Sequence, residues 1–241
     1  LDGDTWVLNG MKNFITNGSH ARTMVVLAKT DMKADSHHGV SAFIVDTESE
    51  GFTVAKKENK LGMRASDTVQ IAFEDVRVPK DNLLGNECEG FKQAMKVLDG
   101  GRISIAALGI GLAQGSFEHS IRYSQERNAF GKPLSKFQAT QFKLADMGTE
   151  IEAARLLTYK AAVLKDEGKP YTRESAMAKY YSGEVAVRAS SEGVQIFGGY
   201  GFVKEYPVER YFRDSRLCTI GEGTSEIQKI VIARELFKQY S

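Results

Sequence analysis

Up to Pro79 the apolar residues of this chain fall in short runs of alternating or consecutive positions, and beyond it they recur at every third or fourth position. No single kind of element satisfies both patterns, so the chain must build strands first and helices afterwards. Thr5-Trp6-Val7-Leu8 runs into the turn signal Asn9-Gly10, followed by Asn13-Phe14-Ile15-Thr16 and a second turn signal, Asn17-Gly18. Residues 24–28 and 40–45 are strand-like. Val69, Ile71 and Phe73 alternate, and then Val76 and Val78 continue on the opposite parity past Asp75, a slip that predicts a bulge or bend. Short strands between turn signals predict an antiparallel sandwich or barrel.

After Pro79 the spacing of Phe91, Ala94, Met95 and Leu98, and later of Phe137, Leu144, Ile151, Ala154, Leu157, Ala161 and Leu164, is helical. Pro79, Pro133, Pro170 and Pro207 stand at the joints, because proline ends or opens a helix more readily than it continues one. The pattern predicts helices over 89–125, 134–167 and 172–197, with a shorter one over 224–239. The fold class expected is α+β: a partial antiparallel β-sandwich or barrel over 1–84, then a long up-down four-helix bundle over 85–241. Leu1-Asp2-Gly3-Asp4 reads as a turn already inside a folded domain.

Charge narrows the partners. Lys plus Arg number 32 against 31 Asp plus Glu, with no basic stripe, so neither nucleic acid nor an anionic membrane has electrostatic support. The longest apolar stretch free of charge, about 103–117, contains three glycines and is too short to span a bilayer, so no membrane insertion is expected. Cys88 and Cys218 form no close-spaced pair and fit a reducing compartment. His20, His37, His38 and His119 lack ligand spacing, and no metal site is expected.

Four segments could carry chemistry. Glu222 stands between Gly221 and Gly223, just before Thr224-Ser225-Glu226, which reads as a helix start. It is either a solvated loop charge or a carboxylate with room to reach a carbon acid. Gln195-Ile196-Phe197-Gly198-Gly199-Tyr200-Gly201 has more glycine than a helix end needs and could cradle a pyrophosphate, although no strand precedes it. Arg127 could clamp a phosphate or sit against a helix C-terminus. Gln138 and Gln141 suit a ligand amide partner or a buried hydrogen-bond network. In Asp99-Gly100-Gly101-Arg102, two glycines inside a helix imply that something passes close by, while Asp99 and Arg102 can pair with each other. No nucleophile elbow or Cys/His pair is present, so a lone carboxylate points to proton abstraction assisted by an organic cofactor.

Together these segments, with Asn13 through Gly18, Lys60-Leu61-Gly62-Met63-Arg64, Glu126 through Gly131 and Phe142-Lys143-Leu144-Ala145-Asp146-Met147, resemble the acyl-CoA dehydrogenase family, nearest its short-chain and butyryl members. The resemblance covers the whole chain. It implies the later part of the family's middle β-domain followed by its C-terminal bundle, with the N-terminal helical domain absent and this stretch inactive alone. It implies FAD as cofactor, an acyl-CoA substrate, an electron-transfer flavoprotein as acceptor and a homotetramer, a dimer of dimers. The location implied is the bacterial cytoplasm or the mitochondrial matrix. Residue by residue, Glu222 matches the base that removes the α-proton while hydride passes to flavin N5. The Gly101 position, where some relatives carry the base instead, is glycine here. Phe14, Ile15 and Thr16 match the stretch packed on the isoalloxazine, and Thr224, Ser225 and Glu226 a later flavin contact. Arg127, Gln138, Gln195, Ile196, Phe197, Gly198 and Gly199 match the adenosine-diphosphate side, often completed across a subunit interface. Asp99, Gly100, Gly101, Arg102 and Gly223 match substrate contacts, with Arg234 near the same site. Gly221 departs from the tyrosine common in short- and medium-chain relatives. An acyl-CoA oxidase, or a non-catalytic helical module of the same fold, are the alternative expectations.

Overall fold

Among the described residues, five strands precede the first long helix: β1 (Thr5–Thr16), β2 (Thr23–Lys29), β3 (Val40–Asp46), β4 (Phe52–Lys57) and β5 (Thr68–Pro79). They form two antiparallel sheets, one in the order β1-β5-β4 and the other pairing β2 with β3. The computed structural model describes residues 1–35 and 37–241. Its contacts divide into two units: Leu1–Lys60 with Arg64–Val97, and Leu61–Met63 with Leu98–Ser241.

In the first unit, inward residues of both sheets share one core. Trp6, Leu8, Val69, Ile71, Phe73, Val76 and Val78 meet Val26, Phe43 and Val45, with Trp6 edge-on to Phe43 at 5.2 Å between ring centroids. The parity slip at Asp75 is a bulge. Leu8 pairs with Val76 but Gly10 with Phe73, so Glu74 and Asp75 together face Asn9. The turn expected at Asn9-Gly10 does not form, and β1 continues through it. The reason is a clamp across the strands: the Asn9 carboxamide donates to Asp75 Oδ1 at 2.8 Å and accepts from the Asp75 N–H at 2.8 Å. These bonds spend the side chain that would have closed a turn on holding Asp75 at φ 53°. A second bulge lies between Lys12 and Ile15 and puts Phe14 at φ 58°, with its ring 74% exposed. β4 carries Lys56 and Lys57 along the sheet edge and has too little apolar alternation to stand out in the sequence.

The helices are α1 (Gly90–Glu126), α2 (Gln138–Asp166), α3 (Thr172–Phe197), α4 (Val208–Ser215) and α5 (Ser225–Tyr240). Residues 128–129 and 132–133 pair as a two-residue ribbon between α1 and α2. The α+β class therefore holds, with antiparallel sheets followed by helices, and α3 is the most buried helix. Its Val185, Ala189 and Ile196 pack with Ile110 and Ala113 of α1 and with Met147, Ile151 and Ala154 of α2. Small residues let the helices approach closely. A Cβ on Gly193 would stand 2.2 Å from the Ser116 hydroxyl oxygen of α1, and that hydroxyl donates to the Ala189 carbonyl at 3.2 Å.

The short helix α4 escapes a periodicity reading because it has only eight residues, of which Val208 and Ser215 are buried. It follows Pro207, is braced by an Arg213–Glu209 ion pair one turn apart, and presses its backbone against Gly62. A Cβ on Gly62 would lie 2.3 Å from the Arg213 carbonyl, which explains the glycine in Leu61-Gly62-Met63. Asp214 accepts the Met63 N–H there, and Arg213 donates to the Leu61 carbonyl at 3.2 Å.

Candidate active site

Glu222 sits in the short connection between a 3-10 turn (Arg216–Thr219) and α5. The Gly221 N–H donates to the Leu217 carbonyl at 2.8 Å, closing the turn. Glu222 at φ 56° and Gly223 at φ 91° then take left-handed conformations. Gly223 adopts this freely, whereas Glu222 adopts it at a cost of about 1 kcal/mol or more and so must be held from outside. Two donors hold it. The buried Gln228 carboxamide donates to the Glu222 carbonyl at 3.2 Å and to the Gly223 carbonyl at 3.1 Å, and Lys179 of α3 donates to the Gly223 carbonyl as well. Thr224 caps α5 by accepting the Ile227 N–H at 3.4 Å, and Ser225 donates to Glu184 of α3 at 2.7 Å.

This turn carries the Glu222 carboxylate over Gly101 on α1. A Cβ built on Gly101 would lie 2.8 Å from Glu222 Oε2. Two glycines in a helix imply a close neighbour, and for Gly101 the neighbour is Glu222. A Cβ on Gly100 would instead meet the Lys165 amine at 3.3 Å. Asp99 spends both oxygens inside the protein, accepting from Arg102 and from the Thr172 hydroxyl, the latter at 2.7 Å. Arg102 is buried, and its Nε has no partner. The N–H groups of Glu222 and Gly223 donate to nothing among the described residues, so both are free to meet a ligand oxygen.

Burial sets the electrostatics beneath the turn. It depresses the Lys179 amine, against the opposing pull of Cys218, Glu222 and Glu184 and together with the repulsion of Arg102. It pushes the Cys218 thiol up to about 11. Glu226 in the first turn of α5 is held down by its own backbone N–H and the Thr224 hydroxyl. Lys179 and Gln228 are the residues a site search in the sequence passes over. The available signal was a lysine on the small-residue stripe Ala176, Lys179, Gly183, Ala186, where a charged side chain has no apolar reason to be.

A second group lies at the other ends of α1 and α3. Arg127, Tyr123, Phe197, Gly198, Gly199 and Tyr206 line a cavity of about 830 Å³. The Arg127 guanidinium lies over the Tyr200 ring at 5.6 Å and, among the described residues, forms no ion pair. Tyr123 stacks on Phe197 at 4.0 Å, and burial raises its phenol. Gly198 has φ 60°, and no atom lies within 4 Å of a Cβ built on Gly198 or Gly199, so their backbone is open to a ligand. The Gly198 N–H closes the end of α3 on the Val194 and Gln195 carbonyls, and a guanidinium without an ion pair beside a glycine pair that carries no side chains leaves room and charge that fit a diphosphate. Ile196 and Phe197 are buried, while Gln195 is exposed.

Gln138 opens α2 on the surface, and Gln141 donates to the Ser135 carbonyl at 2.9 Å; both are exposed, so a buried network is not their setting. The structure does not bring the two groups together. Gly101 and Arg127 stand about 39 Å apart along α1 at 1.5 Å per residue. Phe14, Ile15 and Thr16 belong to the first unit, and Arg234 is exposed on α5 beside Glu235. Among the described residues no three His, Cys, Asp or Glu cluster to hold a metal ion, and no helix is long and apolar enough to cross a membrane.

Comparison with known proteins agrees across the chain. A family model described as the acyl-CoA dehydrogenase middle domain matches residues 1–76, and one described as the acyl-CoA dehydrogenase C-terminal domain matches residues 88–237. The chain is 53% identical over 239 residues to the mitochondrial short-chain specific acyl-CoA dehydrogenase of Mus musculus, covering 99% of this chain and 58% of that protein. Butyryl-CoA dehydrogenase from Megasphaera elsdenii has a TM-score of 0.96 at 50% identity, covering 98% of this chain and 62% of its own. A chain from a structural study of the electron transferring flavoprotein of Acidaminococcus fermentans also has a TM-score of 0.96, at 52% identity, covering 99% and 62%. The chain spans about 60% of the length of the curated relatives it matches.

Proposed function

The chain belongs to the acyl-CoA dehydrogenase family, and from that membership we propose that the whole protein dehydrogenates a fatty acyl-CoA thioester to the trans-2-enoyl-CoA. Glu222 takes the α-proton, the β-carbon gives up a hydride, and the double bond forms between the two carbons. FAD, when bound, supplies the hydride acceptor at its N5. The observation that carries the reading is the seat of Glu222: a carboxylate on a held left-handed turn, facing a helix that lacks a side chain at Gly101. An α-proton beside a thioester is only weakly acidic, so the base must reach the carbon directly and the carbonyl oxygen needs donors. The free N–H of Glu222 is proposed as one of those donors.

Asp99, Gly100, Gly101, Arg102 and Gly223 are assigned to the substrate side. Phe14, Ile15 and Thr16 are assigned to the isoalloxazine, with Thr224, Ser225 and Glu226. The exposed ring of Phe14, held out by its bulge, supports that assignment. Arg127, Gln138 and Gln195 through Gly199 would hold the diphosphate and adenosine. Their distance from Gly101 supports a cofactor shared between copies of the chain, hence a homo-oligomer, and a dimer of dimers is the form proposed. The domain boundary is placed near residue 85, and the electron acceptor is proposed to be an electron-transfer flavoprotein. The activity is assigned to the whole protein and not to these 241 residues alone. We place it in the cytoplasm of a bacterium or the matrix of a mitochondrion.

At Gly221 a Cβ would meet the flexible Leu217 side chain at 3.2 Å, in a backbone conformation open to any residue. The missing tyrosine ring is proposed to loosen the acyl pocket towards longer or branched chains. The test is a titration of the full-length flavoprotein with acyl-CoAs of increasing length, read as bleaching of flavin absorbance. Bleaching that extends beyond C4 thioesters supports both points, bleaching by C4 alone rejects the looser pocket, and no bleaching by any acyl-CoA rejects the activity.

A further inference from the structure

We infer that Lys179 and Gln228 form a two-donor clamp that positions Glu222, and that Lys179 is retained for this purpose and not for packing. The inference rests on the reading of Glu222 as the base. Lys179 is 0% exposed. Among the described residues it forms no ion pair, and its amine donates to one group, the carbonyl of Gly223. Burying an amine is costly, and a position that needed only volume on the stripe Ala176, Lys179, Gly183, Ala186 would be better served by methionine or leucine. The oxygen that accepts the hydrogen bond of this lysine belongs to the residue directly after the base.

Gln228 reaches the same turn from α5. Its Nε2 spans the carbonyls of Glu222 and Gly223, and it too is fully buried, with its Oε1 unpartnered. Apart from these two side chains, no group among the described residues donates to either carbonyl. The left-handed pair at φ 56° and 91° is therefore fixed by donors from two different helices, α3 and α5. The clamp decides where the carboxylate stands against Gly101 of a third helix, α1. The charged and titratable groups that bear on Lys179 are Arg102 from α1, Glu184 from α3, the Cys218 thiol from the 3-10 turn and Glu222 itself. Glu184 is occupied by Ser225, and Arg102 by Asp99. Lys179 is thus left to the turn.

The experiment isolates the proton step in the full-length flavoprotein. The probe is an acyl-CoA analogue with sulfur at the β-position, which has an exchangeable α-proton but no β-hydride to transfer. Its α-hydrogen exchange with D2O is followed together with its dissociation constant. Lys179→Met fills the same volume without a donor. It is expected to slow exchange about 10- to 100-fold while the dissociation constant changes far less, because the base is displaced and the binding contacts are not. A packing role would leave exchange at the wild-type rate in Lys179→Met, and that result overturns the inference. If Lys179→Met fails to fold with flavin, Gln228→Leu is read in its place, with the same loss expected and the same wild-type rate overturning the clamp. Glu222→Gln separates the two readings. Wild-type exchange in Glu222→Gln rejects the base itself, whereas no exchange there beside normal exchange in Lys179→Met rejects only the clamp.

Discussion

A methyl group added at Gly101 sets the stability of α1 against the position of the Glu222 carboxylate, and the two effects have opposite signs. In a helix interior, alanine is more favourable than glycine by about 1 kcal/mol, which corresponds to a rise of about 2–4 °C in Tm for a domain of this size. The new Cβ would stand 2.8 Å from Glu222 Oε2, and the carboxylate must retreat by about 0.6 Å to reach an ordinary contact. The atom that yields is the end of a flexible side chain, so the retreat costs at most about 0.5–1.5 kcal/mol of rotamer strain. The gain and the cost nearly cancel, and the Tm of Gly101→Ala is expected within about 4 °C of wild type. Activity does not cancel. Misplacing a reacting group by 1 Å costs about 100-fold, so a displacement of this size should lower the rate of flavin reduction about tenfold, with acyl-CoA binding retained. Differential scanning calorimetry and stopped-flow reduction at saturating substrate give both quantities. A wild-type rate in Gly101→Ala would refute the seat of Glu222 over Gly101. A large fall in Tm would show that Gly101 serves helix packing instead.

Three further outcomes follow from other parts of the fold. Asp67 is held down to about 2 from its ordinary 3.8 by the Ser19 N–H and hydroxyl and by Lys57. Its folded-state pKa is depressed, so its contribution to stability is full above pH 4 and is lost as the pH falls through about 2. Urea unfolding of Asp67→Asn should show a shallower loss of stability than wild type below pH 4, and parallel curves would reject the assignment. Gly193→Ala should destabilise the helical unit by about 1–3 kcal/mol, because its Cβ would press on the Ser116 hydroxyl, and Ser116→Ala should recover most of the loss. Additive losses in the double variant would show that the two helices do not meet there. Phe14→Gly relieves a left-handed conformation and should leave stability within about 1 kcal/mol of wild type or above it, while weakening flavin affinity in a fluorescence titration. Unchanged affinity would remove Phe14 from the flavin site.

Pro79, Pro133 and Pro170 made the three long helices legible, since each marks a joint that the polypeptide cannot cross in helical form. The bounds of α3 follow from Pro170 before it and the glycine pair after it. The short helix α4 was not legible, because eight largely charged residues carry no period long enough to read and its brace is Leu61–Met63, far away in sequence. Asn9-Gly10 misled for a related reason. The dipeptide has the chemistry of a turn, but the Asn9 carboxamide is engaged by Asp75 on the neighbouring strand. At the site, Gly100 and Gly101 announced a close neighbour without identifying it. That the neighbour is Glu222 depends on how α1, α3 and the 3-10 turn pack, which no local pattern encodes. Lys179 and Gln228 stayed hidden because their partners are backbone carbonyls, which leave no mark in a sequence.

The central claim is that Glu222 is the base, and replacing its carboxylate by a carboxamide of the same shape tests it most directly. Full-length Glu222→Gln, mixed with a saturating acyl-CoA under anaerobic conditions, should bind the thioester as wild type does yet reduce its flavin about 10²- to 10⁴-fold more slowly. Flavin reduction at the wild-type rate in that variant would contradict the assignment and return Glu222 to the status of a loop charge.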